Sequence, residues 1–125
     1  MCIVSIASIS PSIGHMETSV KGRIASIRPY SALNRTTSVL LVESDPSCRC
    51  TKSQIRVNFY GYGAEFLDRV GLIKNDEIIL KLSGVRWSKA KLESDPMSIG
   101  LHDWELNFDH KVHLEVRCVN NACVR

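Results

Sequence analysis

An alternation of apolar and polar residues with a period of two is the feature that most constrains how this chain can fold. It is clearest in residues 54–60, where Ile55, Val57 and Phe59 alternate with polar residues. Successive side chains of a β-strand point to opposite faces, so this pattern predicts a strand with one buried face. Related segments recur along the chain, which is therefore predicted to be rich in β-structure.

Four more strands and one helix are predicted by similar reasoning. Apolar and β-branched runs bounded by turn residues predict strands. These strands span residues 20–27, 38–43, 77–87 and 104–108, with residues 112–116 extending or following the last one. Helical spacing of Phe66, Leu67 and Val70 predicts a short helix over residues 64–70.

Two connections between these elements carry turn chemistry. Residues 28–35 are predicted to be a loop because Pro29 fixes its own φ and disfavours helix at Arg28. Residues 89–101 are polar and contain Pro96 and Gly100, so they are predicted to form a long loop. Long loops within a compact domain are often functional.

Five strands with a short helix between the third and the fourth is the element order of the OB-fold, an all-β Greek-key barrel. An SH3-like or another small five-stranded barrel is the alternative, and the position of the helix favours the OB-fold. A chain of 125 residues fits one such domain. We expect an N-terminal extension over residues 1–18, the OB-fold over 19–116 and a tail over 117–125.

The composition argues against several classes of function. With 44% hydrophobic and 23% charged residues, the chain has the composition of a soluble globular domain. Its apolar runs fall short of the roughly 20 residues that span a bilayer, so no membrane partner is expected. The apolar first nine residues lack a preceding Lys or Arg and contain serines, which disfavours a secretory signal. No nucleophile elbow or phosphate-binding glycine loop is present, so we expect neither an enzyme nor a cofactor.

The five cysteines do not predict a metal site. An odd number of cysteines without a secretory signal indicates reduced thiols in an intracellular protein. Neither Cys48-x-Cys50 nor Cys118-x4-Cys123 has the C-x2-C spacing of the usual zinc knuckle. His110 and His113 would point to opposite faces if they lie on one strand. We therefore expect no bound metal.

Basic residues are concentrated in two parts of the chain. Residues 19–60 contain seven Lys and Arg against the two acids Glu43 and Asp45, and residues 81–91 contain four without an acid. If these two stretches lie side by side, the domain has a positive face that suits nucleic acid. The alternative is a solvated surface with scattered charges, since the net charge is only +3.

The order and spacing of four short segments resembles the first OB-fold of the protection-of-telomeres family of telomere end-binding proteins. The segments are residues 20–22, 40–47, 55–60 and 75–80. They match the family's V-x-G opening strand, an apolar strand that runs into an aspartate, a strand that closes on an aromatic, and an N-G-D-I-like entry to the fourth strand. The resemblance covers residues 19–116.

The resemblance implies a function as well as a fold. It implies binding of the G-rich single-stranded telomeric overhang, a nuclear location at chromosome ends, and a part in telomere end protection and maintenance. Other proteins of the telomere complex are further implied partners. Members of the family usually carry two or more OB-folds, whereas this sequence accommodates one.

Binding of a flexible single strand requires cations along the backbone path and flat side chains on which bases stack. The outer face of the strand at residues 54–60 offers Arg56, Asn58 and Tyr60 together. In the family, an aromatic at the end of this strand stacks on a base, and Phe59 or Tyr60 matches it. The alternation makes Phe59 a core residue and Tyr60 the stacking platform.

Two more positions match DNA contacts of the family. Arg28 and Tyr30 fall where the family has a basic residue, prolines and a tyrosine that touch DNA. Trp87 falls where it has an aromatic followed by lysines that hold the strand. Alternatively, Tyr30 packs back on the barrel and Trp87 shields the barrel end. The predicted DNA-binding residues are therefore Arg28, Tyr30, Arg56, Asn58, Phe59, Tyr60, Arg86, Trp87 and Lys89.

An OB-fold can also be a protein–protein adaptor, because a fold does not determine a function. The alternative function is therefore an adaptor in a telomere-capping or replication complex, with little or no DNA binding. The apolar residues Ile3, Ile6, Ile9 and Ile13 favour it, since they could pack on a partner. The polar outer face of residues 54–60 favours DNA binding instead.

Overall fold

A computed structural model describes residues 2–12, 18–44, 53–90, 101–109 and 112–117. A short 3-10 turn over Ile6–Ser8 follows the first strand. The elements in chain order are β1 (Cys2–Val4), β2 (Thr18–Ser31), β3 (Thr36–Val42), β4 (Gln54–Tyr60), α1 (Tyr62–Val70), β5 (Glu77–Lys81), β6 (Arg86–Lys89), β7 (Trp104–Phe108) and β8 (Leu114–Arg117). The strand predicted over residues 54–60 has the observed bounds of β4, and the helix begins two residues earlier than predicted.

The strands form one curved sheet in the order β6-β7-β4-β3-β2-β5-β8, and β1 pairs in parallel with the start of β2. The long strand β2 pairs with β5 through its first half and with β3 through its second half. Strands β3 and β4 are antiparallel, whereas β4 and β7 are parallel. The result is the predicted Greek-key arrangement, with the helix between the third and fourth long strands.

The fourth predicted strand, residues 77–87, is not continuous. It is divided into β5, which pairs with β2 and β8, and β6, which pairs with β7. Gly84 has φ +78, a left-handed conformation that glycine adopts without steric cost. The backbone turns here, and Val85 N–H bonds to Leu82 O at 3.2 Å. The prediction was wrong because alternation alone does not distinguish a bend within a strand from a break.

The first predicted loop is also shorter than expected. Residues 28–31 belong to β2, and the turn comprises residues 32–35. The pairing with β3 shifts its register between Arg28 and Ser31, so the strand accommodates Pro29 at an irregular position. Thr37 Oγ1 donates a hydrogen bond to Arg28 O at 2.7 Å. Strand β2 therefore carries Arg28 along the sheet instead of into a loop.

Gly22 is required by close packing of the chain. A Cβ atom at this position would lie 3.1 Å from Val42 O and 3.2 Å from side-chain atoms of Ile6 and Leu41. The sequence predicted a bend or bulge at this glycine. Its observed role is to let β2 approach β3 and the N-terminal segment.

The core lies inside the curved sheet and extends to the N-terminal segment. Phe59 and Phe108 stack at its centre with a ring separation of 5.7 Å. Ile6 and Ile9 are buried in the same cluster. They are therefore not available to the adaptor partner that their sequence pattern favoured. Ile3 remains half exposed, and Ile13 lies outside the described residues.

Two buried polar contacts hold the N-terminal segment on the barrel. The Ile6 N–H donates to Glu43 Oε2 at 3.0 Å. The His102 Nδ1 atom accepts a hydrogen bond from Trp104 N–H, so the proton is on Nε2, which donates to Ile9 O at 3.1 Å. The buried carbonyl of Ile9 is thereby satisfied.

Some predictions fall on residues that the structure does not describe. These are residues 91–100 of the second loop, His110, and the cysteines at positions 48, 50, 118 and 123. Within the described ranges, no three His, Cys, Asp or Glu side chains are placed to hold a metal ion. In the same ranges, no helix is both long and apolar enough to cross a membrane.

Candidate nucleic-acid interface

An open groove with a volume of about 360 Å³ crosses the outer face of the sheet. Its floor is formed by β3, β4 and β7, and its edges are formed by the end of β2 and by β6. Three cationic residues line it, Arg28, Arg56 and Lys89, together with one carboxylate, that of Glu105. The two basic stretches of the sequence thus meet at one surface.

Strand pairing places the groove residues side by side. Asn58 of β4 lies opposite Ser38 of β3 and opposite Asn107 of β7. Asn107 in turn lies opposite Arg86 of β6. Because β4 alternates, its residues Arg56, Asn58 and Tyr60 all line the groove while the intervening residues enter the core. The prediction that these three side chains share one outer face is confirmed.

Hydrogen bonds connect the polar side chains of the floor. Asn58 Nδ2 donates to Glu105 Oε1 at 2.8 Å and to Asn107 Oδ1 at 3.1 Å. The Tyr60 hydroxyl donates to the same Asn107 oxygen at 3.3 Å. Asn107 Nδ2 donates to Arg86 O at 3.1 Å and to Ser88 Oγ at 2.9 Å. This network fixes the side chains of three strands in one arrangement.

The cations of the groove differ in their surroundings. Arg28 and Lys89 are exposed, whereas Arg56 is half buried and donates to Ser38 Oγ at 3.4 Å. Exposed cations at the edges suit contacts with a polyanionic backbone. A half-buried guanidinium between Ser38 and the polar floor is placed to meet base edges as well as phosphates.

Arg86 lies beside the groove and is paired with Asp109. Its Nε and terminal nitrogen donate to the two carboxylate oxygens at 2.6 and 3.0 Å. This hydrogen bonding, and then the Coulomb attraction to Asp109, raises the pKa of Arg86. The guanidinium also lies 5.9 Å from the centre of the Tyr60 ring, a cation–π distance. Arg86 therefore supports the Tyr60 ring and is not among the residues that line the groove.

Phe59, Trp87 and Tyr30 do not line the groove either. Phe59 is completely buried in the core, as the alternation predicts. Trp87 packs on the core and meets Trp104 edge to face at 6.4 Å. Tyr30 is packed partly on the core and lines a second cavity of about 260 Å³ beside α1. Tyr60 is the one predicted aromatic that the structure brings to the groove.

Glu105 and Asn107 are groove residues that the sequence reasoning did not select. The alternation in residues 104–108 does place them on the face opposite Leu106 and Phe108. What the pattern could not provide was the neighbour of this strand. The parallel pairing of β7 with β4 brings them within hydrogen-bond distance of Asn58.

A second surface feature is formed by α1 and the turn before β3. The Arg35 guanidinium lies 5.4 Å from the centre of the Tyr62 ring and 3.1 Å from Glu65 Oε1. Coulomb attraction to Glu65 is the main cause that raises the pKa of Arg35. Tyr62 and Phe66 are one helical turn apart and are 68% and 36% exposed. This exposed aromatic surface lies outside the groove.

The sequence model of a family described as "Domain of unknown function (DUF8502)" matches residues 3–122. No curated protein matches the chain in sequence.

Two solved structures are similar to the fold. One is the crystal structure of Schizosaccharomyces pombe Pot1pC bound to ssDNA (CGGTTACGGT), with a TM-score of 0.59 and 12% identity over 98% of this chain and 91% of that one. The other is the solution structure of DNA binding domain A of Saccharomyces cerevisiae Replication Protein A, with a TM-score of 0.54 and 14% identity over 94% of this chain and 96% of that one. At such low identity the likeness shows the fold, and it confirms the predicted OB-fold.

Proposed function

The chain belongs to the DUF8502 family, and we propose that its OB-fold binds single-stranded DNA along the groove of β3, β4 and β7. The observation that carries the proposal is the groove itself. Arg28, Arg56 and Lys89 line it around a polar floor, and the Tyr60 ring stands at one end. Both solved structures of similar fold are described by their titles as bound to single-stranded DNA or as a DNA-binding domain.

In this proposal the three cations contact phosphates and Tyr60 stacks on a base. Each phosphate neutralised on a single strand contributes about −0.7 to the slope of log K against log salt. Three contacts thus predict a slope of about −2. Stacking on Tyr60 adds about 1–3 kcal/mol, a term that every base can supply.

The finer proposal is that the strand is the G-rich telomeric overhang. The segments at residues 20–22, 40–47, 55–60 and 75–80 support it by their resemblance to the protection-of-telomeres family. The fold similarity to Pot1pC bound to CGGTTACGGT supports it independently. This proposal includes a nuclear location at telomeres, a part in end protection, and other telomere-complex proteins as partners.

Fluorescence polarisation with three labelled oligonucleotides tests both levels of the proposal. The probes are CGGTTACGGT, oligo-dT of equal length, and a duplex, each at two salt concentrations. Tight, salt-dependent binding to the G-rich strand alone is expected. Equal binding to both single strands would contradict the telomeric part, and binding to none of the probes would contradict DNA binding altogether.

A pair of double variants separates groove cations from general charge. Arg56→Ala/Lys89→Ala removes two groove cations and should reduce the salt slope by about 1.4. Arg69→Ala/Lys74→Ala removes two exposed cations of the helix region, neither of which lines the groove. If both variants lose the same affinity, the groove is not the binding surface.

A protein–protein adaptor is the second candidate function, and the exposed pair Tyr62 and Phe66 favours it. In this case the aromatic face of α1 packs on a protein of a telomere-capping or replication complex. The adaptor predicts that Tyr62→Ala/Phe66→Ala abolishes assembly with such a protein and leaves the fold intact. Unchanged DNA affinity in that double variant, together with loss of affinity on mutation of the groove, would favour DNA binding instead.

A further inference from the structure

We propose that Glu105 selects bases by their hydrogen-bond donors, and that guanine is the base it favours. This inference rests on the proposed function and concerns the same groove. Glu105 is the one carboxylate among the groove residues that the structure describes, and it is 9% exposed. A carboxylate in a groove for phosphates opposes their charge. Its place on the floor, below cations at the edges, suits contact with the base edges of a bound strand.

The position of the Glu105 carboxylate is fixed within the floor. Asn58 Nδ2 donates to its Oε1 atom at 2.8 Å, and Asn58 is itself held by Asn107. A carboxylate has about four acceptor positions on its two oxygens. Bonds within the protein therefore orient the group while it can still accept from a ligand. Such preorganisation lowers the cost of recognition, because the group does not have to be ordered on binding.

The amide donors of the floor are already engaged. Both hydrogens of Asn58 Nδ2 are used, on Glu105 and Asn107. Both hydrogens of Asn107 Nδ2 are used as well, on Arg86 O and Ser88 Oγ. The Tyr60 hydroxyl donates to Asn107. What these groups offer to a base is therefore acceptor oxygen, and an acceptor surface selects bases that carry donors.

Guanine presents the best match among the four bases. Its Watson–Crick edge carries the N1–H and N2–H₂ donors side by side, which a carboxylate can accept with both oxygens. Thymine has one N–H on that edge, flanked by two carbonyl oxygens that would face the Glu105 carboxylate. Single-stranded recognition commonly uses this edge, because the base is unpaired.

Base analogues isolate this contact. Inosine is guanine without the N2 amino group, and 7-deazaguanine lacks the N7 acceptor but keeps both Watson–Crick donors. Wild-type protein should bind CGGTTACGGT about tenfold more tightly than the same strand with inosine at each guanine position, the ratio typical of one lost base contact. It should bind the 7-deazaguanine strand as well as the guanine strand. A selective loss with 7-deazaguanine would overturn the inference in favour of an arginine contact to N7.

Glu105→Gln keeps the size of the side chain and an acceptor for Asn58, but replaces one carboxylate oxygen by a donor. The penalty for inosine should fall from about tenfold to less than about threefold in this variant. Glu115→Gln is the matched control, because Glu115 is an exposed carboxylate of β8 that does not line the groove. It removes the same charge and should keep the full penalty.

The ratio between strands is the measured quantity, so a general gain in affinity from the lost negative charge does not affect it. Circular dichroism and thermal unfolding of both variants verify the fold. An unchanged inosine penalty in Glu105→Gln would overturn the role of Glu105 while single-strand binding stands. Equal binding of all strands by the wild type would do the same. Binding to none of them would overturn the proposed function and this inference together.

Discussion

Asn107→Ala should destabilise the domain more than any other single change at a polar groove residue. The Asn107 side chain is 4% exposed and takes part in four hydrogen bonds that connect β4, β6 and β7. Alanine removes all four at once. It leaves the Asn58 amide, the Tyr60 hydroxyl, the Arg86 carbonyl and the Ser88 hydroxyl without this partner.

The expected loss follows from the number of bonds and from access to water. At about 1 kcal/mol per hydrogen bond, four bonds set an upper value of about 4 kcal/mol. Tyr60 and Ser88 border an open groove, so water can replace the partner of these two groups. The Arg86 carbonyl and the second Asn58 hydrogen lie deeper. The free energy of unfolding should therefore fall by about 2–3 kcal/mol.

Urea unfolding followed by circular dichroism measures this loss, with the slope m compared between variants. Asn34→Ala is the control, because Asn34 is exposed in the turn at residues 32–35 and should change stability by less than about 0.5 kcal/mol. An Asn107→Ala midpoint equal to that of the control would refute the reasoning. It would mean that water satisfies the whole network, so the floor could not hold Glu105 in a fixed position.

Three further changes have distinct expected outcomes. Tyr60→Ala should weaken single-strand binding by about 1–3 kcal/mol in polarisation assays while the thermal midpoint stays near that of the wild type; unchanged affinity would remove Tyr60 as the stacking platform. Trp87→Ala should instead lower stability by about 2 kcal/mol in urea, since Trp87 packs on the core and on Trp104; unaltered stability with lost DNA affinity would restore the stacking role predicted from the sequence. His102→Ala should cost about 2 kcal/mol of stability and increase amide exchange around residue 9, because the buried Ile9 carbonyl loses its donor; normal protection there would show that the N-terminal segment is held by its apolar contacts alone.

The groove combines a cationic edge with an acceptor-rich floor, and these two features have different consequences for function. Cations supply affinity that falls with salt and depends little on sequence. Acceptors on the floor discriminate between bases and add little to the overall attraction. A salt titration with several strands therefore separates the two contributions, since the slopes should agree while the intercepts differ.

Much of the fold was predictable because it depends on local pattern. The alternation in residues 54–60 and 104–108 predicted the bounds of β4 and β7 and the face of each side chain. The same alternation placed Phe59 in the core and Tyr60 outside. Helical spacing predicted α1 to within two residues at its start. The element order then sufficed to identify the barrel, since few small folds place one helix between the third and fourth strands.

The functional surface depended on contacts that no local pattern contains. Asn58 and Glu105 are 47 residues apart and meet only because β7 runs parallel to β4. Trp87 and Tyr30 have the composition of stacking residues, yet packing assigned their rings to the core side. The sequence by itself determined which residues face outward, because that follows from a period of two. The tertiary structure alone decided which outward residues are neighbours, because strand order and register are set when the barrel packs around its core.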